Sequence, residues 1–278
     1  MTKRLLFALA HPDDESFGSG AFISRCTSQG IEVSLICATN GDVGTVSAEK
    51  MNGYKTVAEL RTAELDCAAQ VLGLKEVIKF GYRDSGMMGS ADNNDPQALW
   101  QADPETLIQQ VIEVMERIRP QVVVTFNKFG GYGHPDHIKI QQATAAAFNR
   151  LQGQPNAPQK LYYSSFPMGL LKMGVFFSRL AGRDPRKMGV NKDVDFMAVL
   201  EAVEPVHARI SVKAWTEQGQ KAADCHASQI SPRAGFPLAR LYISRAMQTA
   251  GFTRVVPEPR RGEPIESDLF AGVREREV

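Results

Sequence analysis

The stretch LLFALAHPDDESFGSGAF, residues 5–22, opens on six consecutive apolar residues and then runs into one histidine, a proline and three adjacent carboxylates. A strand with one wet face alternates polar and apolar positions, whereas a strand covered by helices on both faces is apolar throughout. The run at 5–10 is of the second kind. It ends at His11, Asp13, Asp14 and Glu15. Acids packed this closely repel one another unless positive charge sits among them, so the segment marks either a cation site or a solvated turn.

Working outward, VSLICAT (33–39) and VVVTF (122–126) repeat the apolar pattern. Strands are expected at 4–10, 32–39, 76–80 and 121–126, alternating with helices at 17–29, 56–72, 104–119 and 136–151. That order predicts an α/β fold: a Rossmann-like, doubly wound, mostly parallel sheet with helices on both faces. Ligands of such sheets bind beyond the carboxyl ends of the strands. The fourth strand runs into NKFGGYGHPDHIKI, which brings His134, Asp136 and His137 to the same crest as His11 and its acids. TNGDVGT and GYRDSGMMG follow the second and third strands and form the neighbouring crest loops.

Beyond residue 152 the rhythm is irregular. A fifth strand is expected at 159–166, a sixth at 207–212, and helices at 213–227 and 237–250. Residues 1–160 then form the core carrying the crest, and 161–256 form an irregular C-terminal part of the same domain that supplies the substrate pocket and a lid. Residues 257–278, rich in Pro, Arg and Glu, read as a loose tail. The most apolar segment, 166–182, is interrupted by Lys172, Arg179 and glycines. It is too short for a transmembrane span and reads as a lid helix or as the contact of a homo-oligomer.

The 32 Lys and Arg residues balance 31 Asp and Glu. No field results that would gather nucleic acid or an acidic membrane, so a small-molecule partner is expected. Cys26, Cys37, Cys67 and Cys225 have no paired spacing and read as buried, reduced thiols of a cytoplasmic protein.

A catalytic zinc takes about three protein ligands and keeps one position open. His11 and Asp14 can converge on one ion, and one histidine of the pair His134 and His137 completes the set; spacing leaves open which. The other serves as a proton donor or oxyanion stabiliser. Asp136 can orient an imidazole, Asp13 can take a proton from water, and Glu15 suits a helix N-terminus.

The motifs AHPDDE (10–15) and GHPDH (133–137) together resemble the de-N-acetylase family that includes N-acetylglucosaminyl-phosphatidylinositol deacetylases, mycothiol and bacillithiol pathway deacetylases, and LmbE-like (PIG-L) proteins. The resemblance covers roughly residues 4–230. It implies metal-dependent hydrolysis of the acetamide of an N-acetylated glucosamine conjugate. It implies His11, Asp14 and His137 as zinc ligands, with ferrous iron as the alternative metal for such a donor set. Asp13 is then the general base, and His134 stabilises the oxyanion or protonates the leaving amine. Arg61 in ELRTAEL is expected to contact substrate, Asp84 in GYRDSGM to bond sugar hydroxyls, and Tyr132 to assist the oxyanion. Lys221, His226 and Gln229 in KAADCHASQ match a family pattern without an assigned role.

GYRDSGM and GGYGHPDH resemble the thiol-cofactor branch acting on glucosaminyl-inositol compounds. The sister branch that cleaves mycothiol conjugates carries a lysine just after the acidic motif, where this chain has Ser16, Phe17 and Gly18. Rival readings are a metal-dependent amidase on a non-sugar or thiol-conjugate substrate, a phosphoesterase using the same acids, and a Rossmann-type nucleotide- or sugar-binding protein without hydrolysis. Gly18 and Gly20 suggest the last, but Ile23 stands at the third glycine position and acids occupy the place of a pyrophosphate.

Overall fold

Strand β1 (Arg4–Leu9) is buried from Leu5 onward and lies between two parallel partners. On one side β2 (Glu32–Thr39) pairs with it from Arg4↔Glu32 to Leu9↔Cys37. On the other, β4 (Val122–Thr125) pairs from Leu5↔Val122 to Phe7↔Val124. Outside these, β3 (Glu76–Tyr82) and β5 (Lys160–Ser165) extend the sheet in parallel. With β6 (Ala208–Ser211) and β7 (Thr249–Val256) the order is β3-β2-β1-β4-β5-β7-β6, β7 being antiparallel to both its neighbours. The computed structural model describes residues 2–189, 192–230 and 245–274.

The chain lays down β1, β2 and β3 toward one edge, then returns to place β4 on the other side of β1. This reversal is the point at which doubly wound sheets open a crevice for ligands. The loops leaving β1 and β4 are the two that bear His11 and His134.

Helices α2 (Gly20–Ser28), α3 (Val57–Leu72) and α9 (Thr216–Cys225) pack against one another, while α4 (Pro104–Ile118) and α6 (Pro135–Leu151) pack together over β1. In α4 the buried residues Leu107, Val111, Ile112, Val114, Met115 and Ile118 form one apolar stripe at helical spacing. The helix begins where the Asp103 carboxylate accepts the Thr106 N–H at 2.8 Å and Pro104 has no N–H to satisfy. α6 begins in the same way at Pro135, with the His134 side chain as its cap. Helix α3 carries a Thr56–Glu59 capping box, and its buried face includes Arg61 and Glu64. Gly20 belongs to helix packing: a Cβ there would lie 3.3 Å from the Gly219 backbone, so α2 and α9 meet glycine to glycine.

Four expectations are corrected. The helix expected at 17–29 is two helices, α1 (Asp14–Phe17) and α2, parted at Gly18 and Ser19. Of the helix expected at 237–250, residues 237–244 lie outside the described residues, and Thr249 and Ala250 begin β7. Cys67 and Cys225 form a disulfide joining α3 to α9, leaving Cys26 and Cys37 as buried thiols. The tail is docked through its described residues: Leu269 and Phe270 are buried in the core. Glu266 bonds Lys160 Nζ at 2.9 Å, Arg254 at 2.6 Å and the Tyr162 hydroxyl. Its composition looked loose because the charges that hold it are answered by strands far away in sequence.

The apolar segment 166–182 contains α7 (Met168–Leu180), which buries Leu171 and Val175 but exposes Phe176, Phe177 and Leu180; α8 (Phe196–Glu201) packs against it. Among the described residues, no helix is long and apolar enough to cross a membrane.

Because Leu269 is 1% exposed, Leu269→Ala is expected to lower unfolding free energy by about 2–5 kcal/mol. The measurement is the urea midpoint; a midpoint equal to that of the unsubstituted protein would mean the tail contributes no packing.

Candidate metal centre and active site

Asp14 is aimed by the end of β1. Its Oδ2 accepts the backbone N–H of Ala10 at 3.2 Å and of His11 at 2.7 Å. His11 Nδ1 lies 3.0 Å from His137 Nε2, and Asp14 oxygens lie 3.4 Å from His137 Nε2 and 3.6 Å from His11 Nδ1. Protein groups occupy the far nitrogens. His137 Nδ1 donates to the Gly130 carbonyl at 3.1 Å, and His11 Nε2 donates to Asp136 Oδ2 at 3.1 Å. Those bonds point the remaining nitrogens of both rings at each other, beside a carboxylate. Phe126 stacks on His137 with centroids 3.8 Å apart and holds the ring in place.

This donor set fits a divalent metal. Bonds of about 2.0–2.2 Å in a tetrahedron separate ligand atoms by roughly 3.3 Å, and the three distances bracket that value. Electrostatics agree. Burial opposes a charge on His11, yet Asp84, with hydrogen bonds to Asp136 and Asp14, raises its pKa well above the ordinary value. The acids draw in a proton, which a metal ion displaces when it takes such a site. Burial, partly offset by Asp14, pulls His137 down to about 4, so this imidazole is neutral as a ligand must be.

His134 differs from His137 although donor atoms of His11, His134 and His137 all lie within 4.8 Å of one another. Its Nδ1 accepts the Asp136 N–H at 3.2 Å, which places the ring proton on Nε2, 3.9 Å from Asp84 Oδ1. Burial first, then His11 and His137, lower its pKa to about 3, so it is a neutral N–H donor. Asp136 is fully buried; it accepts from His11, from the Ser85 N–H at 2.9 Å and from the Ser85 hydroxyl. It thereby sets the tautomer of His11. Asp84 lies 3.6 Å from His11 Nε2, and although burial opposes it, the imidazoles of His11 and His134 hold its carboxyl well below the usual range. Tyr132, in α5 (Gly130–Gly133), is 39% exposed at the rim, its ring 5.0 Å from that of His137 and 5.9 Å from that of His134.

Asp13 stands apart from the cluster. Its Oδ2 accepts from Arg61 at 2.9 Å, and the same guanidinium donates to the Pro12 carbonyl at 2.6 Å and the Gly41 carbonyl at 2.8 Å. Arg61, expected at the substrate, is bonded to Asp13 and to the loops on either side of it. Burial above all, helped by Asp14 and Glu15 and opposed by Arg61 and His11, lifts Asp13 to about 7. A carboxyl so tuned exchanges protons near neutral pH.

Sequence reasoning missed a second layer. Glu15, expected as an acid at a helix N-terminus, receives the Asp13 N–H at 3.0 Å and faces His226 Nε2 at 2.7 Å. Glu64 accepts the Ser228 N–H and hydroxyl, each at 2.7 Å. Gln229 bonds the Ser228 hydroxyl at 2.9 Å, whereas Lys221 points outward to Glu217. The KAADCHASQ stretch was the available signal, without a partner attached to it.

Two imidazoles and a carboxylate at a switch-point crevice, with a second carboxyl tuned near neutrality, define a metal-dependent hydrolase. The sequence profile of PIG-L, the GlcNAc-PI de-N-acetylases, matches residues 6–148. The chain belongs to this family, and it is a deacetylase. The 1D-myo-inositol 2-acetamido-2-deoxy-alpha-D-glucopyranoside deacetylase of Acidothermus cellulolyticus is 34% identical, over 98% of this chain and 96% of its own. Its namesake from Thermobifida fusca is also 34% identical, over 97% and 99%. Among solved structures, N,N'-diacetylchitobiose deacetylase from Pyrococcus horikoshii matches with TM-score 0.58 and 17% identity, covering 91% of this chain and 84% of that one. The 4-carboxy-2-hydroxymuconate hydratase GalB of Pseudomonas putida matches with TM-score 0.60 and 16% identity, over 95% and 100%. The fold therefore hosts more than one chemistry.

A Cβ on Gly41 would lie 2.2 Å from Arg61 Nη1, and Gly41 has φ +62°. Gly41→Ala is expected to displace the guanidinium and lower kcat, with Asp14 and both histidines undisturbed and metal content unchanged. Arg61→Gln removes a charge that lowers the Asp13 pKa. If Asp13 acts as a base it works ionised, so activity rises with pH through that pKa, and this limb of the kcat/KM profile is expected at higher pH in Arg61→Gln. A limb at the same or lower pH would show that Arg61 does not tune Asp13.

Proposed function

We propose that the protein is a zinc-dependent deacetylase that hydrolyses the acetamide of an N-acetylglucosaminyl-inositol conjugate, releasing acetate and the free amine. The observation that carries the reading is the convergence of His11 Nδ1, His137 Nε2 and the Asp14 carboxylate next to a separately held Asp13. His11, Asp14 and His137 would hold the metal; two histidines and a carboxylate also accept ferrous iron. The inositol conjugate is drawn from the names of relatives that match along nearly the whole chain.

Bound by these three residues, a metal would supply a lowered pKa for water and polarisation of the acetyl carbonyl. Asp13 takes the proton of the attacking water, its carboxyl steadied by Arg61. His134, neutral with its proton on Nε2, donates a hydrogen bond to the developing oxyanion. Tyr132, whose ring lies 5.9 Å from that of His134, assists at the same oxygen. Asp13 then returns its proton to the amine nitrogen as the C–N bond breaks. Asp136 keeps His11 oriented, and Asp84 is left to bond sugar hydroxyls at the crest mouth. A cytoplasmic setting belongs to this proposal on the strength of its small, polar substrate class alone, since the Cys67–Cys225 disulfide removes the thiol argument. The charge balance of 32 against 31 supports a small-molecule partner over nucleic acid.

The test is acetate and amine release from N-acetylglucosaminyl-inositol, N-acetylglucosaminyl-malate, N-acetylglucosamine and diacetylchitobiose by metal-replete protein. Preference for the inositol conjugate is expected; preference for another member would reassign the substrate. Asp13→Ala is expected to keep its metal and lose about 10²–10⁴-fold in kcat. His134→Ala should keep its metal and lose roughly 10²–10³-fold, whereas His137→Ala should lose metal on dialysis. The reverse pattern for the two histidines would exchange their roles.

A further inference from the structure

The end of α9 and the residues after it are tied to α3 and to the acidic motif at three points. Cys225 is bonded to Cys67 of α3, His226 Nε2 lies 2.7 Å from Glu15 Oε1, and Ser228 is bonded through its N–H and hydroxyl to Glu64. His226 and Glu15 are both 0% exposed. The second oxygen of Glu15 accepts the N–H of Asp13 at 3.0 Å. Asp13 has φ 135° and ψ −24°. An L-residue adopts such a backbone at a cost, and keeps it only where its surroundings over-determine it. Arg61 grips the same turn from the other side, through the Pro12 carbonyl and the Asp13 carboxylate.

We propose that His226 is a positioning residue for the reaction: it fixes the Glu15 carboxylate, and Glu15 holds the Asp13 amide so that the strained turn presents the Asp13 carboxyl to the attacking water. An ion pair serving only the fold has no need to end on the amide of the one strained residue in the acidic motif. The His226 side chain meets Glu15 and the ring of Phe17; its route to the chemistry runs through Glu15 and Asp13. The connection also explains why a residue 211 positions from Glu15 is buried against it without joining the metal-facing cluster.

The inference rests on the deacetylase reading for its kinetic test and on geometry for a second one. His226→Ala is expected to lower kcat roughly ten- to hundredfold, as loss of a supporting partner does, with KM and bound metal unchanged. His226→Gln, which keeps a donor near Glu15, should recover most of the rate. In an Asp13→Asn background, adding His226→Ala should change the residual rate by less than about twofold, because a residue acting through Asp13 has nothing left to act on. An equal loss in both backgrounds would overturn the proposal in favour of a general structural role, as would an unaffected kcat in His226→Ala. Hydrogen exchange at the Asp13 amide needs no substrate: protection is expected to fall in His226→Ala and Glu15→Gln. Should the wild type release acetate from no substrate, the functional reading fails, and the amide exchange still decides the clamp; unchanged protection would sink it.

Discussion

Everything at the site depends on β1 being gripped from both sides at its carboxyl end. The Thr125 hydroxyl on β4 donates to the Ala8 carbonyl at 2.8 Å, and on β2 the Thr39 N–H and hydroxyl donate to the Ala10 carbonyl at 2.8 and 3.0 Å. All four residues are buried, so these bonds act where water cannot compete. They fix the height at which the chain leaves the sheet. From that height His11 meets His137, which arrives through β4 and the first turn of α6. Side chains alternate faces along a strand, so a slip of one residue in the β1–β4 register would turn Phe7 and its neighbours over and part the two histidines.

The crest gathers five buried or nearly buried carboxyls, Asp13, Asp14, Glu15, Asp84 and Asp136, and gives each a different partner. Strand-end amides hold Asp14, Ser85 holds Asp136, the Gly86 N–H holds Asp84, His226 holds Glu15, and Arg61 holds Asp13. Burial of so many acids is tolerable only with such individual compensation. The result is differentiation: Asp14 is driven strongly toward the carboxylate by His137 and His11 against its burial, while its neighbour Asp13 is lifted to about 7. Adjacent residues of one type thus become a firm anion and a carboxyl that exchanges protons near neutral pH.

The parallel core and the two motif loops were legible because their signals are local. LLFALA and VVVTF are strands by composition alone, and HPDDE and GHPDH each place their donors within one turn. What stayed hidden is long-range. Ser228 meets Glu64 across 164 positions and Cys225 meets Cys67 across 158, and neither pairing leaves a periodic trace in the chain. β7 was misread for a related reason: its antiparallel place between β5 and β6 is set by those neighbours, beyond the reach of its own pattern. Arg61 was singled out in the sequence, but its direction depends on Gly41 leaving room for a guanidinium, a fact of three-dimensional space.

The Cys67–Cys225 bond closes the polypeptide between those residues into a covalent ring. That ring threads β3, α4, β4, α6, β5, α7, α8 and β6, so most of the sheet and one of the two motif loops lie on it. The exposed connection at 181–184 is also part of it. A protease that cuts there opens the ring without parting the molecule: both ends stay joined through α3 and α9, and the two fragments separate only when a reductant is added.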